Sequence, residues 1–162
     1  MKITVETSIQ RPRAEVYEAF TDIPGSPARI SDLEHVELLG EGPFAPGYAW
    51  RETRTLFGKS RTELVEVTQT DAPSSYQVVS DSMGTRYTTD VTFTEASPGA
   101  TTVRMTVAAR PMSVSARLMT PLGYAFRGAT GKLLSQELED MRAALESGQR
   151  STVPSHLAIS RP

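Results

Sequence analysis

The chain has 162 residues, the size of one domain, and can bury a core without covalent staples. It has no cysteine, which excludes disulfides and cysteine-ligated metal. Seventeen Lys and Arg stand against nineteen Asp and Glu, and the net charge of −2 gives no electrostatic reason to expect a nucleic-acid or anionic-membrane partner.

No apolar run approaches the ~20 residues of a membrane helix. Residues 1–7 alternate, where a signal peptide would be continuously apolar. A cytoplasmic protein with no integral membrane contact is expected.

Residues 2–10 place Ile3, Val5, Thr7 and Ile9 on one face, and period two predicts a half-buried strand. Pro12 suits a first helical position, where its missing N–H costs nothing. Val16, Tyr17 and Phe20 at helical spacing predict a helix over 12–22, stopped by Asp22-Ile23-Pro24-Gly25. Ser26-Pro27 starts a second short helix through Ile30. From His35 to Arg110 the period stays at two. Strands are expected from Val36, then over 48–57, 60–70, 75–82, 85–95 and 100–110, with Gly58-Lys59, Ala72-Pro73, Gly84 and Pro98-Gly99 at the turns. The period then becomes helical. Leu134, Leu138, Met141 and Leu145 form one stripe, and Leu118, Leu122, Phe126, Ala129 and Leu133 a comparable one upstream. Pro121 opposes the carbonyl of Arg117 and predicts a kink or break in a helix over 113–146. Residues 147–162 are polar and aperiodic and are expected to be a disordered tail.

The order is strand, two short helices, six strands and a long helix. An antiparallel sheet with one apolar face needs a cover, and only the final helix is long enough. The class is α+β. This order resembles the helix-grip fold of the START-like, Bet v 1-like (SRPBCC) superfamily: a seven-stranded antiparallel sheet wrapped around a long C-terminal helix, with two short helices after the first strand. Within it the chain looks most like the bacterial polyketide cyclase/dehydrase-like branch. The residues that carry the resemblance are Arg11-Pro12-x-x-Glu15-Val16-Tyr17-x-x-Phe20-x-Asp22, then Val36-Glu37-Leu38-Leu39 leading to Gly47-x-x-Trp50-Arg51-Glu52, and the terminal leucine-rich helix. Residues 1–146 are covered. Where such proteins often carry a tryptophan, near the end of the second short helix, this chain has Ile30. The resemblance implies a hydrophobic cavity between sheet and helix and no fixed catalytic set.

Candidate chemistry is sparse. Gly40-x-Gly42 lacks the following helix that a dinucleotide fingerprint needs, so it reads as a strand connection. His35 and His156 are isolated, and no three ligands cluster for zinc. No cofactor or metal is expected. The strand over 48–57 is the most informative. Its even positions, Tyr48, Trp50, Glu52 and Arg54, are the more aromatic set and are expected to face inward. Buried charges need partners, so Glu52 and Arg54 would pair with each other, with a neighbouring strand or with a ligand. The competing reading is an exposed network with Arg61 and Glu63. Tyr76, Tyr87 and Thr89 are further inward polar candidates, or ordinary core residues. Gly123, Gly128 and Gly131 each cost ~1 kcal/mol in a helix, and predict a broken helix or an unfilled space beside it.

The leading expectation is binding, or transport, of a small hydrophobic or aromatic molecule. Tyr48, Trp50, Tyr76, Tyr87, Met105, Leu122 and Phe126 would line the pocket and Glu52, Arg54 and Thr89 orient the ligand. A cyclase or dehydratase is the alternative, as the resemblance allows, with Glu52 or a tyrosine assisting proton transfer. A protein-interaction module is the third.

Overall fold

In the computed structural model, which describes residues 1–148, strand β1 (Lys2–Ile9) is followed by helix α1 (Arg13–Thr21) and a single 3-10 turn at Ser26–Ala28. Six strands come next: β2 (Leu33–Leu38), β3 (Ala49–Leu56), β4 (Lys59–Asp71), β5 (Ser75–Ser82), β6 (Thr85–Ser97) and β7 (Ala100–Pro111). Helices α2 (Val114–Leu118), α3 (Thr120–Ala125) and α4 (Arg127–Glu146) end the described chain. The sheet order is β1-β7-β6-β5-β4-β3-β2. Every neighbouring pair is antiparallel. Only β1 is out of sequence. It pairs with β7 at one edge, so α1 and the 3-10 turn carry the chain across to β2 at the other.

The expected strands are all present. The expected second short helix is only the 3-10 turn, and Ile30 beyond it lies in the core. One sheet face is apolar. Val91 and Phe93 on β6 lie opposite Met105 and Val103 on β7, which lie opposite Val5 and Thr7 on β1. The other face is polar, with Gln77 donating to Asp90 at 2.8 Å. Phe20 and Tyr17 of α1 each meet Phe93 edge-on at 5.3 Å, a geometry worth about 0.5–1.5 kcal/mol beyond area burial.

The stripe Leu134, Leu138, Met141 and Leu145 packs into this core as its spacing predicts. Hydrogen bonds fix α4 to both edges of the sheet. On one side Thr7 of β1 donates to Glu139 at 3.0 Å. On the other the Ser31 amide and hydroxyl donate to Asp140 at 2.9 and 2.7 Å, just before β2. The C-terminal helix breaks twice, at Met119 and at Phe126. The first break is the one expected from Pro121, which sits at the start of α3 where it needs no donor. None of the helices among the described residues is long and apolar enough to cross a membrane. The expected tail falls almost wholly outside the described residues.

Candidate functional site

The β3 strand turns its even positions inward. Trp50 is 5% exposed and lies opposite Val65 on the buried face of β4, while Arg51 and Thr55 are exposed. This places Glu52 and Arg54 between the sheet and α4. Arg54 is a hub. Its Nε donates to Glu52 Oε1 at 2.7 Å, and its Nη1 donates to Glu137 Oε2 at 2.9 Å and to Asp32 Oδ1 at 3.2 Å. The indole N–H of Trp50 donates to the other oxygen of Glu52 at 2.9 Å. The cross-strand neighbours Arg61 and Glu63 are not the partners chosen. Arg61 instead reaches Met83.

Three carboxylates around one guanidinium leave a surplus of negative charge. Burial alone would lower the basicity of Arg54, but Glu137 and Glu52, with Asp32, more than offset it and hold the guanidinium charged. Burial pushes the Glu137 carboxyl up. Arg54 pulls it back in part, and Glu52 adds to the rise. Burial also raises the Tyr76 phenol, helped by Glu137. The four charged side chains are enclosed yet not sealed, with exposures of 19% for Arg54, 14% for Glu52, 17% for Glu137 and 23% for Asp32.

Aromatic rings wall this cluster. Phe44, in the loop before β3, meets Tyr76 edge-on at 5.2 Å and lies 5.6 Å from Tyr48 and 6.4 Å from Trp50. Tyr76 continues to Phe93 at 6.0 Å and Tyr17 at 6.2 Å. Burial raises the Tyr48 and Tyr17 phenols too. A carboxyl of raised pKa beside a guanidinium and a phenol can hold or pass a proton that an ordinary surface carboxylate would have lost.

Of the residues expected from sequence, Tyr48, Trp50, Glu52, Arg54 and Tyr76 come together. Tyr87 and Thr89 lie on the same sheet face, further along β6. Burial raises the Tyr87 phenol, with Glu63 adding to it. Met105 is packed in the core. Leu122 and Phe126 stand exposed, and Phe126 meets Phe57 at the β3–β4 turn instead, with ring centres 6.4 Å apart. Asp32, Phe44 and Glu137 join the site without having been singled out in the sequence. Glu137 left a trace: it follows Leu134 by three and precedes Met141 by four, inside the apolar stripe. His35 is exposed on β2, and His156 lies outside the described residues. The glycine run does leave a space, on the β1 side. Gly128 and Gly131 line a groove of about 550 Å³ between β1 and α4.

A sheet closed over one C-terminal helix, with polar side chains aimed between them, is the helix-grip arrangement of START-like, Bet v 1-like proteins. The pattern of the family described as polyketide cyclase / dehydrase and lipid transport matches residues 1–146, and the chain belongs to that family. Among curated proteins nothing matches. Among solved structures, TTHA0849 from Thermus thermophilus is 16% identical, with 93% of this chain and 100% of that one covered and a TM-score of 0.74. A START superfamily protein from Mycobacterium smegmatis is 12% identical, with 89% and 98% covered and a TM-score of 0.69. The di-domain ARO/CYC StfQ from the steffimycin biosynthetic pathway is 14% identical, with a TM-score of 0.66. The likeness covers 89% of this chain and 44% of that two-domain protein. At these identities the likeness is one of fold.

Proposed function

We propose that the space between the sheet and α4 binds, and in a transport role would carry, a small hydrophobic or aromatic molecule. The observation that supports this reading best is the Arg54 hub. Its charged side chains converge inside an aromatic wall and keep some accessibility. Apolar pockets with a few convergent polar groups are how most small-molecule sites are built. Tyr48, Trp50 and Tyr76 supply the ring surfaces, and Glu52, Arg54 and Glu137 orient a polar end. Thr89 and Tyr87 extend the wall along β6.

The test uses the freshly purified chain. Native and denaturing mass spectra are compared, and an organic extract is analysed. A mass lost on denaturation supports an occupied interior. Trp50 is the sole tryptophan and belongs to the site, so its fluorescence reports added ligand directly. No bound mass, together with flat fluorescence and no thermal shift across aromatic and lipid-like compounds, sinks the binding reading.

One observation favours a second reading, a cyclase or dehydratase acting in the same place. Glu137, whose carboxyl burial pushes up while it accepts from Arg54 at 2.9 Å, is a general acid–base candidate. On that reading Glu137→Gln loses turnover while keeping ligand. If turnover is unchanged, Glu137 is an orienting group only.

A further inference from the structure

One end of the molecule gathers apolar side chains that are left uncovered. The β3–β4 turn holds Phe57 outward at 68% exposure, and the β5–β6 turn holds Met83 outward at 78%. The two turns share an end of the sheet, because β4 and β5 pair antiparallel between them. Helices α2 and α3 sit at that end too. The Met112 and Ser113 amides donate to the Gly84 carbonyl, at 2.7 and 3.2 Å, and Phe126 meets Phe57. α3 has no buried residue. Leu122 of α3, with Leu118 at the end of α2 and Met119 between the two helices, is exposed alongside the two tips.

Charge at this end departs from the average of the chain. No acidic residue occurs from 96 to 136, and Arg110, Arg117 and Arg127 of that run fall near this end, whereas Arg104 sits mid-strand on β7 and is paired with Glu6 at 2.9 Å. The hairpin tips add Lys59 and Arg61, against Glu34, which accepts from Ser60 at 2.8 Å, and Glu63. The nearby Asp81 is held by Arg86 at 2.7 Å. The net charge of −2 conceals this asymmetry. An apolar surface ringed by cations is complementary to an anionic bilayer, which offers apolar chains beneath phosphates. The apolar groups project from hairpin tips and short helices and do not line a groove. Two grooves among the described residues lie elsewhere, between β1 and α4 and beside Pro12 and Pro73. A fluid surface accepts such projections more readily than a rigid protein partner does.

We propose that this end docks peripherally on an anionic phospholipid membrane. Phe57, Met83, Leu118 and Leu122 enter the acyl boundary, while Arg110, Arg117 and Arg127 meet the phosphates. The turns show that the placement costs something. Phe57 and Met83 have φ of 51° and 50°, a left-handed region that hairpins usually give to Asn, Asp or Gly. The docking does not depend on what the interior holds.

The full chain is tested by sedimentation with vesicles of phosphatidylcholine alone and of phosphatidylcholine mixed with phosphatidylglycerol. Binding is expected to the mixed vesicles only, and to weaken as salt rises. Phe57→Asn with Met83→Asn suits both turns and should fold, as a thermal melt checks. It should weaken binding by about tenfold. Arg117→Glu should weaken it by at least about fivefold. No sedimentation with either vesicle overturns the proposal, as does equal binding to both. Concentration-dependent self-association that the double substitution abolishes, without vesicle binding, would make this end an interface between copies and would also overturn it.

Discussion

Arg54 on β3 and Glu137 on α4 meet at 2.9 Å, joining the sheet to the helix it wraps. The same guanidinium holds Glu52 and Asp32, so residues far apart in the chain share one cation. A buried charge network of this kind is weak evidence for stability, because desolvation can cancel its attraction. It is strong evidence that removing its one cation has a large cost.

Arg54→Met leaves Asp32, Glu52 and Glu137 facing one another without a counter-charge. Breaking a buried pair in this way costs about 3–5 kcal/mol at neutral pH. Urea unfolding measures it. The deficit should shrink as pH falls, since the carboxylates then take up protons. Arg54→Lys should recover only part of the loss, because an ammonium lacks the fork that reaches several carboxylates at once. An Arg54→Met protein as stable as the parent at neutral pH would show that the cluster is not coupled.

The Glu137 pKa is raised, and that fixes a sign. A carboxyl with a higher pKa in the folded state binds its proton more tightly there than in the unfolded chain. Its stabilising contribution is complete below the ordinary carboxylate pKa of roughly 4.3 and is lost as pH rises through its folded value. Glu137→Gln removes the titration while keeping an oxygen for Arg54 to bond. The stability advantage of the parent over this variant should be greatest in acid and should decline toward neutral pH. Chemical denaturation across that range decides it. An advantage that grows with pH would mean that the ion pair with Arg54 outweighs burial.

Much of the fold was legible because period two and period 3.6 report burial directly. The inward face of β3 was only half legible: Tyr48 and Trp50 share parity with Glu52 and Arg54, but a slip of one residue reverses the face, and an exposed network with Arg61 and Glu63 read as well from the sequence. The partners of Arg54 were not legible. Asp32 sits beside a register shift between Leu33 and His35, which local alternation does not encode. Glu137 shares the inward stripe by spacing, three after Leu134 and four before Met141, but its charge reads as a solvated residue, and only the pairing with Arg54 explains its place there. Leu122 and Phe126 went the other way. Their helical spacing would face them inward only in one continuous helix. The breaks at Met119 and Phe126 rotate that register, leaving both exposed. Pro121 announced the first break through its missing donor. The second has no comparable signal.

Thr101 is fully buried on β7, and its hydroxyl donates to the Arg11 carbonyl at 2.8 Å, where β1 gives way to α1. Thr101→Val keeps the shape and orphans that acceptor. A loss of about 1–3 kcal/mol is expected, read by urea unfolding. An unchanged midpoint would mean that water replaces the hydroxyl.

Met83→Asn is expected to stabilise the protein. Met83 is 78% exposed and gives up only the contact of its sulfur with Arg61, so little burial is lost on replacing it. Its φ of 50° costs an ordinary side chain about 1–2 kcal/mol, which asparagine partly avoids by local hydrogen bonding. A gain of about 0.5–1 kcal/mol should appear in thermal or urea unfolding. Phe57→Asn should gain less, because Phe57 also gives up its contact with Phe126. If both substitutions destabilise, the two side chains are held by contacts within the chain, and their exposure is not a cost borne for a surface outside it. If both stabilise, folding alone does not account for two bulky apolar residues at these tips, and what selects them acts from outside the fold.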